Sequence, residues 1–146
     1  MHIIRKQFKF EMAHQLKTSY TVGCQNLHGH SYTVEVFLTR PHLDITGMVV
    51  DFGKISDLFK NYINDYWDHS LVIPDTFDIE YLTTLKRYNK NVRIVNYNPT
   101  AENMAQQMYM FFNEALESEY HISKNERFVC KVRVHETVTG WAEYSE

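Results

Sequence analysis

Three histidines in the first thirty residues have the types and spacing of a metal site. His28 and His30 lie two residues apart, so in extended backbone their side chains point to the same side, with only Gly29 between them. His14 stands at the end of the preceding predicted strand, and a sheet can bring that end beside His28. Alone, the His-Gly-His pattern also fits two exposed histidines at the mouth of a strand. Three imidazoles with a fourth position open are typical of catalytic zinc sites, so we predict that these histidines bind Zn²⁺.

Cys24 lies four residues before His28, and three interpretations of its role are open. A thiol at this position could be a fourth zinc ligand that closes the site, or a general base beside an open site. It could also be a small buried apolar side chain, the usual fate of a lone cysteine. A thiol near a metal and histidines ionises more readily than a free thiol, but the spacing does not decide among the three.

Two further positions carry carboxylates that could take part in proton transfer or binding. Asp68 precedes His69, and a carboxylate beside an imidazole can orient it and stabilise its charged form for acid–base chemistry. The same pair also fits an exposed polar turn. Glu136 lies where a predicted strand runs into a turn, and a carboxylate there can accept two parallel hydrogen bonds from a flat, amidine-like edge. A solvated turn residue is the alternative.

The composition excludes several classes of protein. The chain has 146 residues, of which 44% are hydrophobic, so we predict a single domain with its own core over 1–146. The net charge of −3 argues against a nucleic-acid partner, which requires a basic face. Two cysteines are too few for a disulfide framework, and the longest apolar run, 108–112, is too short for a membrane span. With charge interrupting its first residues, we expect a soluble, cytoplasmic protein without a signal peptide or a membrane partner.

Hydrophobic spacing predicts an α+β fold, in which two helices pack on one face of an antiparallel four-stranded sheet. The connection 11–30 is irregular and polar, and in the stretch 75–98 the pattern suits only a short helix near Leu82 and a short strand at Val92–Val95. The predicted elements, in chain order, are strand 3–10, strand 31–40, helix 54–66, a helix that follows the N-cap Thr100, strand 128–134 and strand Trp141–Tyr144.

Six short motifs follow one another along the chain. They are FEMAH at 10–14, CQNLHGHSY at 24–32, GMVVDF at 47–52, DH at 68–69, PTAEN at 99–103 and ET at 136–137. In this order, and over nearly the whole chain, the set resembles the family of the 6-pyruvoyltetrahydropterin and 6-carboxytetrahydropterin synthases. The three-residue gap between Cys24 and His28, and the proline before Thr-Ala-Glu-Asn, resemble its queuosine-pathway branch. The stretch 75–98 is longer than the usual connection in that family.

The resemblance implies a tunnelling fold (T-fold), in which subunits join their sheets into a trimeric barrel and two barrels stack into a homohexamer. It implies a zinc-dependent carbon–carbon lyase that converts 7,8-dihydroneopterin triphosphate to 6-carboxy-5,6,7,8-tetrahydropterin, acetaldehyde and triphosphate, in queuosine biosynthesis. The implied site residues are the zinc ligands His14, His28 and His30, the proton acceptor Cys24, the acid–base pair Asp68 and His69, the pterin anchor Glu136, and Thr100 and Glu102 in the pterin pocket.

Two other functions stay open at this point. The sister activity of the family, elimination of triphosphate to a 6-pyruvoyl product, uses the same ligands, and the release of acetaldehyde distinguishes the two reactions. A non-catalytic zinc domain is the second alternative, with Cys24 and the three histidines closing a structural site. It predicts that metal removal unfolds the chain and that no pterin binds.

Overall fold

The computed structural model describes residues 1–121 and 128–146, and these form six strands and four α-helices. The predicted α+β class is therefore confirmed. A π-helical turn, Ile63–Trp67, continues the second helix. In chain order the elements are β1 (His2–His14), α1 (Val22–Gln25), β2 (His28–Arg40), α2 (Phe52–Tyr62), β3 (Ser70–Pro74), α3 (Ile79–Tyr88), β4 (Val92–Val95), α4 (Ala101–Tyr120), β5 (Val129–His135) and β6 (Trp141–Tyr144).

The six strands form one sheet in the order β4-β3-β1-β2-β5-β6. The four strands predicted from the sequence make up its antiparallel part, in which β1 pairs with β2, β2 with β5, and β5 with β6. The prediction of only four strands, all antiparallel, is wrong, because β3 and β4 extend the sheet beyond β1 by parallel pairing. All five residues of β3 are buried, so this strand lacks the alternation that reveals a half-buried strand.

The two central strands are longer than predicted, and the added residues belong to the candidate site. The stretch 11–30 is not wholly irregular, because β1 continues to His14 and β2 begins at His28. The pairing places His14 opposite His28, and Met12 opposite His30. Residues directly opposite each other in antiparallel strands share a face, so the three histidines project from one face at the open end of this strand pair.

Helices α2 and α4 cover one face of the sheet, as predicted. Their buried side chains pack with the inward-facing residues of β1, β2 and β5 in one apolar cluster, in which Phe59, Met104 and Val34 are each 0% exposed. The predicted N-cap of α4 is also confirmed, because the Thr100 hydroxyl accepts a hydrogen bond from the Asn103 N–H at 3.4 Å. The helices thus anchor the strand ends that carry the histidines.

Helix α3 lies on the opposite face, over the edge formed by β3 and β4. Leu71 and Ile73 alternate along β3 with the core residue Val72, and they pack against Leu82 of α3. The short helix and the short strand suggested for 75–98 are both present. In the described ranges, none of the helices combines the length and the apolar character that a membrane span requires.

Asn113 ties α4 to β5 and provides a test of this packing. It is 2% exposed, its amide donates to the Tyr109 and Val129 carbonyls, and its oxygen accepts from the Val129 N–H at 3.2 Å. Asn113→Ala leaves buried Val129 groups unpaired, so we expect the free energy of unfolding to fall by about 2 to 4 kcal/mol. Urea denaturation measures this change against the exposed-site control Glu114→Ala, and equal stability of the two variants would contradict the role.

Glu35 is nearly buried among basic groups on the sheet face that lies away from α2 and α4. Its carboxylate oxygens lie 2.5 Å from Arg5 Nη1, 3.0 Å from His135 Nε2 and 3.8 Å from Arg133 Nη1. Burial by itself would raise the pKa of Glu35. The hydrogen bond from His135 and the neighbouring positive charges outweigh that effect, and they hold the pKa below its ordinary range.

This depressed pKa predicts a pH-dependent contribution to stability. The contribution is present above the unfolded-state pKa of about 4.3 and is lost as the pH falls through the lower folded-state value. We therefore expect Glu35→Gln to lower the free energy of unfolding at pH 7, and to lose less further stability than the wild type between pH 5 and pH 3. Urea denaturation across this range measures both effects, with Glu114→Gln as the control. Parallel pH profiles for the wild type and Glu35→Gln would show that the ion cluster contributes nothing.

Candidate active site

Three imidazoles meet where β1 ends and β2 begins. One ring nitrogen from each of His14, His28 and His30 lies within 4.8 Å of the other two. The Nε2 atoms of His14 and His28 are 3.0 Å apart, and the three ring centroids are separated by 4.5 to 5.3 Å. His14 is 1% exposed and the other two are partly buried. The structure thus brings together the three histidines predicted from the sequence.

Backbone carbonyls determine which nitrogen carries the hydrogen in two of these imidazoles. His14 Nδ1 lies 2.8 Å from the carbonyl oxygen of Pro99, and His28 Nδ1 lies 2.7 Å from that of Asn26. A carbonyl only accepts, so each Nδ1 donates, and each neutral ring keeps a lone pair on Nε2. The two facing Nε2 atoms therefore present lone pairs to each other. These lone pairs repel, and a cation bound by both nitrogens would stabilise the arrangement.

Burial favours the neutral form of two of these imidazoles, those of His14 and His30. Burial lowers the pKa of His14 to about 4. The hydrogen bond to Pro99 raises this pKa, and the charges of His28 and His30 lower it further. Burial also lowers the pKa of His30, opposed by the charge of Glu136 and assisted by His28. The neutral imidazole is the form that binds a metal ion.

His30 has a ring nitrogen without a partner among the described residues. His30 Nε2 is buried and makes no hydrogen bond in that part of the chain, and Glu136 Oε1 is 3.8 Å away. An unpaired buried nitrogen is costly, and a metal ion would satisfy it together with the two facing Nε2 atoms. Three imidazole nitrogens suit zinc and other transition metals, and they leave a coordination position open. The residues present therefore fit a metal centre.

Cys24 lies in α1, and its charge acts on Tyr32, whose hydroxyl is 3.4 Å from His14 Nε2. It is partly buried, and its Sγ accepts a hydrogen bond from Thr21 Oγ1 at 3.0 Å. The group of mutually close metal-binding atoms consists of the three imidazoles and does not include the thiol. This arrangement favours an open metal site with a neighbouring thiol over a site that the thiol closes.

Tyr32, which was not predicted from the sequence, connects the cluster with Glu136. Its hydroxyl lies 3.4 Å from His14 Nε2, and the residue is 1% exposed. Burial raises the pKa of Tyr32, and the charge and hydrogen bond of Glu136 and the charge of Cys24 raise it further. The signal for this residue is its position two residues after His30, which places both side chains on the same face of β2.

Glu136 shares a cavity of about 300 Å³ with Thr100 and Glu102. Glu136 follows β5, and its backbone N–H donates to the Gly140 carbonyl at 3.1 Å in the turn before β6. Pro99, whose carbonyl oxygen holds His14, directly precedes Thr100, so this cavity borders the histidine cluster. The three residues predicted to bind substrate are therefore neighbours.

His69 lies in a separate cavity of about 660 Å³, which His30 also lines. His69 Nδ1 is 2.9 Å from Asp68 Oδ2, and Asp68 Oδ1 accepts the Glu11 N–H at 2.8 Å. Burial alone would raise the pKa of Asp68, but the hydrogen bonds from Glu11 and His69 outweigh it and lower the pKa. His69 has a φ of 53°, a strained conformation that is common at functional sites. Ala13 and Leu71 line this cavity and belong to the sheet face that packs against α3, so the cavity lies on the face opposite to the three imidazoles and apart from that of Glu136.

The sequence matches, over residues 3–146, a family model described as 6-pyruvoyl tetrahydropterin synthase. The chain belongs to this family. Its similar relatives include proteins named 6-carboxy-5,6,7,8-tetrahydropterin synthase. That of Helicobacter pylori strain J99 is 32% identical over 143 residues, covering 97% of this chain and 71% of the relative. That of Haemophilus influenzae is 32% identical over 152 residues, covering all of both chains. The resemblance stated from the motifs is thus confirmed, and these relatives support an enzyme of this kind, a lyase.

Solved structures confirm the fold of the 6-pyruvoyl tetrahydropterin synthase family. An uncharacterised protein from Wolinella succinogenes has a TM-score of 0.80 at 20% identity, covering 99% of this chain and 97% of its own. The 6-pyruvoyl tetrahydropterin synthase of Caenorhabditis elegans has a TM-score of 0.65 at 27% identity, covering 99% and 95%. The predicted T-fold architecture of the subunit is therefore confirmed, whereas the joining of sheets into a barrel stays a prediction.

Proposed function

We propose that the chain is a zinc-dependent carbon–carbon lyase acting in queuosine biosynthesis. It would convert 7,8-dihydroneopterin triphosphate and one molecule of water to 6-carboxy-5,6,7,8-tetrahydropterin, acetaldehyde and triphosphate. Relatives named for the 6-carboxy product, aligned over 94% to 100% of this chain, support the reaction. The observation that carries the proposal is the three-histidine cluster, with Glu136 Oε1 3.8 Å from His30 Nε2.

The metal site is proposed to consist of His14, His28 and His30. These three residues would hold Zn²⁺, which would supply Lewis-acid polarisation of the substrate's side-chain hydroxyls and so make the adjoining C–H bonds more acidic. The Pro99 and Asn26 carbonyls hold two of the rings with Nε2 directed into the cluster, as outer partners of metal-binding histidines commonly do.

Glu136 is proposed to anchor the pterin ring. The amino-pyrimidine edge of a pterin presents adjacent N–H donors in one plane, and a carboxylate can accept two parallel hydrogen bonds from such an edge. Thr100 and Glu102, at the start of α4, line the same cavity and are proposed to contact the ring beside Glu136.

Cys24 and His69 are proposed to move the protons. The Cys24 thiolate takes a proton from the substrate's side chain, and His69 gives or takes one on the other side of the carbon framework. Asp68 holds Nδ1 of His69, which leaves Nε2 for this role on a side chain that is 79% exposed. Elimination of triphosphate and cleavage of the carbon–carbon bond complete the proposed reaction.

Product analysis tests the proposed function directly. Purified, zinc-loaded protein is incubated with 7,8-dihydroneopterin triphosphate, and the pterin product and acetaldehyde are identified by mass spectrometry. We expect 6-carboxytetrahydropterin and acetaldehyde in equal amounts, and neither from a His28→Ala control. Absence of any turnover would reject the proposal.

Formation of 6-pyruvoyltetrahydropterin is the second candidate function. The family model carries that name, and so does the Caenorhabditis elegans relative of known structure. The same incubation distinguishes the two activities, because triphosphate elimination to the pyruvoyl product releases no acetaldehyde.

We further propose that 1–146 forms one domain and that six chains assemble as two stacked trimers. The family match over 3–146 supports the single domain. The assembly is supported by the edges of the described sheet, β4 and β6, whose outer backbone groups are available for pairing with another chain. Light scattering would then give six times the chain mass of 17.4 kDa.

A further inference from the structure

The cavity that contains His69 has one wall made by the turn between α3 and β4. Asn89, Lys90 and Asn91 line it together with His30 and His69. This turn belongs to the stretch 75–98, to which the proposed mechanism assigns no role. The turn therefore faces the candidate acid–base group His69, on the sheet face opposite to the imidazole of His30.

Lys90 gives this cavity a positive charge. Among the described residues that line the cavity, Lys90 is the one that carries a permanent cation. It forms no ion pair within the described ranges, whereas Lys54 and Lys131 each pair with a glutamate. The carboxylate in the cavity, Glu11, accepts a hydrogen bond from Ser31 Oγ at 2.7 Å. The ammonium group is thus free to bind an anion.

The turn is held at a defined position relative to His69. Asn91 Nδ2 donates to the carbonyls of Asp68 and His69 at 3.4 and 3.5 Å, and the Asn91 carbonyl accepts the Leu71 N–H at 2.9 Å. The parallel pairing of Leu71 with Val92 continues this connection into the sheet. These hydrogen bonds therefore hold the backbone of Lys90 next to His69.

We propose that Lys90 binds the phosphate chain of the substrate and contributes to specificity for a triphosphorylated pterin. This inference rests on the proposed function, whose substrate carries a strongly anionic triphosphate that needs a cationic partner where the substrate meets His69. A lysine ammonium binds phosphate oxygens as a compact point charge.

The test is a kinetic comparison of three variants of the zinc-loaded protein. We expect Lys90→Ala to raise the KM for 7,8-dihydroneopterin triphosphate about tenfold, with kcat within about twofold of wild type. Lys90→Arg retains the charge and should restore most of the affinity. Lys86→Ala removes an exposed lysine from the last turn of α3 that does not line the cavity, and it should leave KM unchanged. Equal KM values for Lys90→Ala and Lys86→Ala would overturn the inference while leaving the lyase assignment intact.

Binding of inorganic tripolyphosphate separates failure of the inference from failure of the proposed function. Calorimetric titration of the wild type and the variants, with zinc content measured afterwards, reports anion binding without turnover. Weaker binding by Lys90→Ala than by Lys86→Ala supports the anion contact even if no lyase activity is found. Equal binding by both variants would overturn it.

Discussion

Replacing Cys24 with alanine is expected to lower kcat by about 10² to 10⁴-fold while leaving one zinc ion bound per chain. The rate range is that of a lost general acid–base group. Zinc retention follows from the cluster geometry, because the mutually close ligand atoms come from His14, His28 and His30 and not from the thiol. Steady-state kinetics and metal analysis of the same preparation measure the two effects together.

The second cysteine provides the matched control. Cys130 is also free and partly buried, but it lies on β5, where its thiol contacts the Phe37 carbonyl at 3.3 Å. Cys130→Ala should retain both activity and zinc. Loss of zinc from Cys24→Ala would assign the thiol to the metal, and full activity of that variant would exclude it as the proton acceptor.

Replacing His28 with alanine is expected to weaken zinc binding by more than about 100-fold and to abolish turnover. Loss of an outer partner of a ligand costs about 10- to 100-fold in affinity, and a direct ligand costs more. Competition with a chromophoric chelator measures the affinity. The exposed His42 provides the control, and His42→Ala should bind zinc as the wild type does.

Chelation of the wild type discriminates a catalytic metal from a structural one. The apolar core of β1, β2, β5, α2 and α4 is formed by buried hydrophobic side chains, so the zinc-free chain should remain folded by circular dichroism. Unfolding on zinc removal would instead support the non-catalytic domain in which Cys24 closes the site.

For the His28→Ala variant, a zinc affinity equal to that of the wild type would contradict the three-histidine site.

The parts of the fold that were predicted from the sequence are those in which apolar residues recur with the period of a strand or a helix. Along β2, Tyr32, Val34, Val36 and Leu38 alternate with polar or partly exposed residues, and all four are at most 1% exposed. The apolar stripe of α4 and its Thr100 cap are similarly local. Strand β3 was not predicted because it is buried on both faces and therefore shows no alternation of apolar and polar residues. The strands with which it pairs in parallel are also distant in sequence.

The sequence by itself predicted three candidate metal ligands and the common face of two of them, His28 and His30. The two-residue spacing of His28 and His30 is sufficient for that, because alternation in a strand is a local property. The motifs likewise identified the family. Only the tertiary structure decided which nitrogens face the candidate metal site, since the carbonyl that orients His14 belongs to Pro99, 85 residues away. It alone placed Glu136 and His69 in different cavities, because long-range strand pairing, not residue spacing, determines which distant side chains meet.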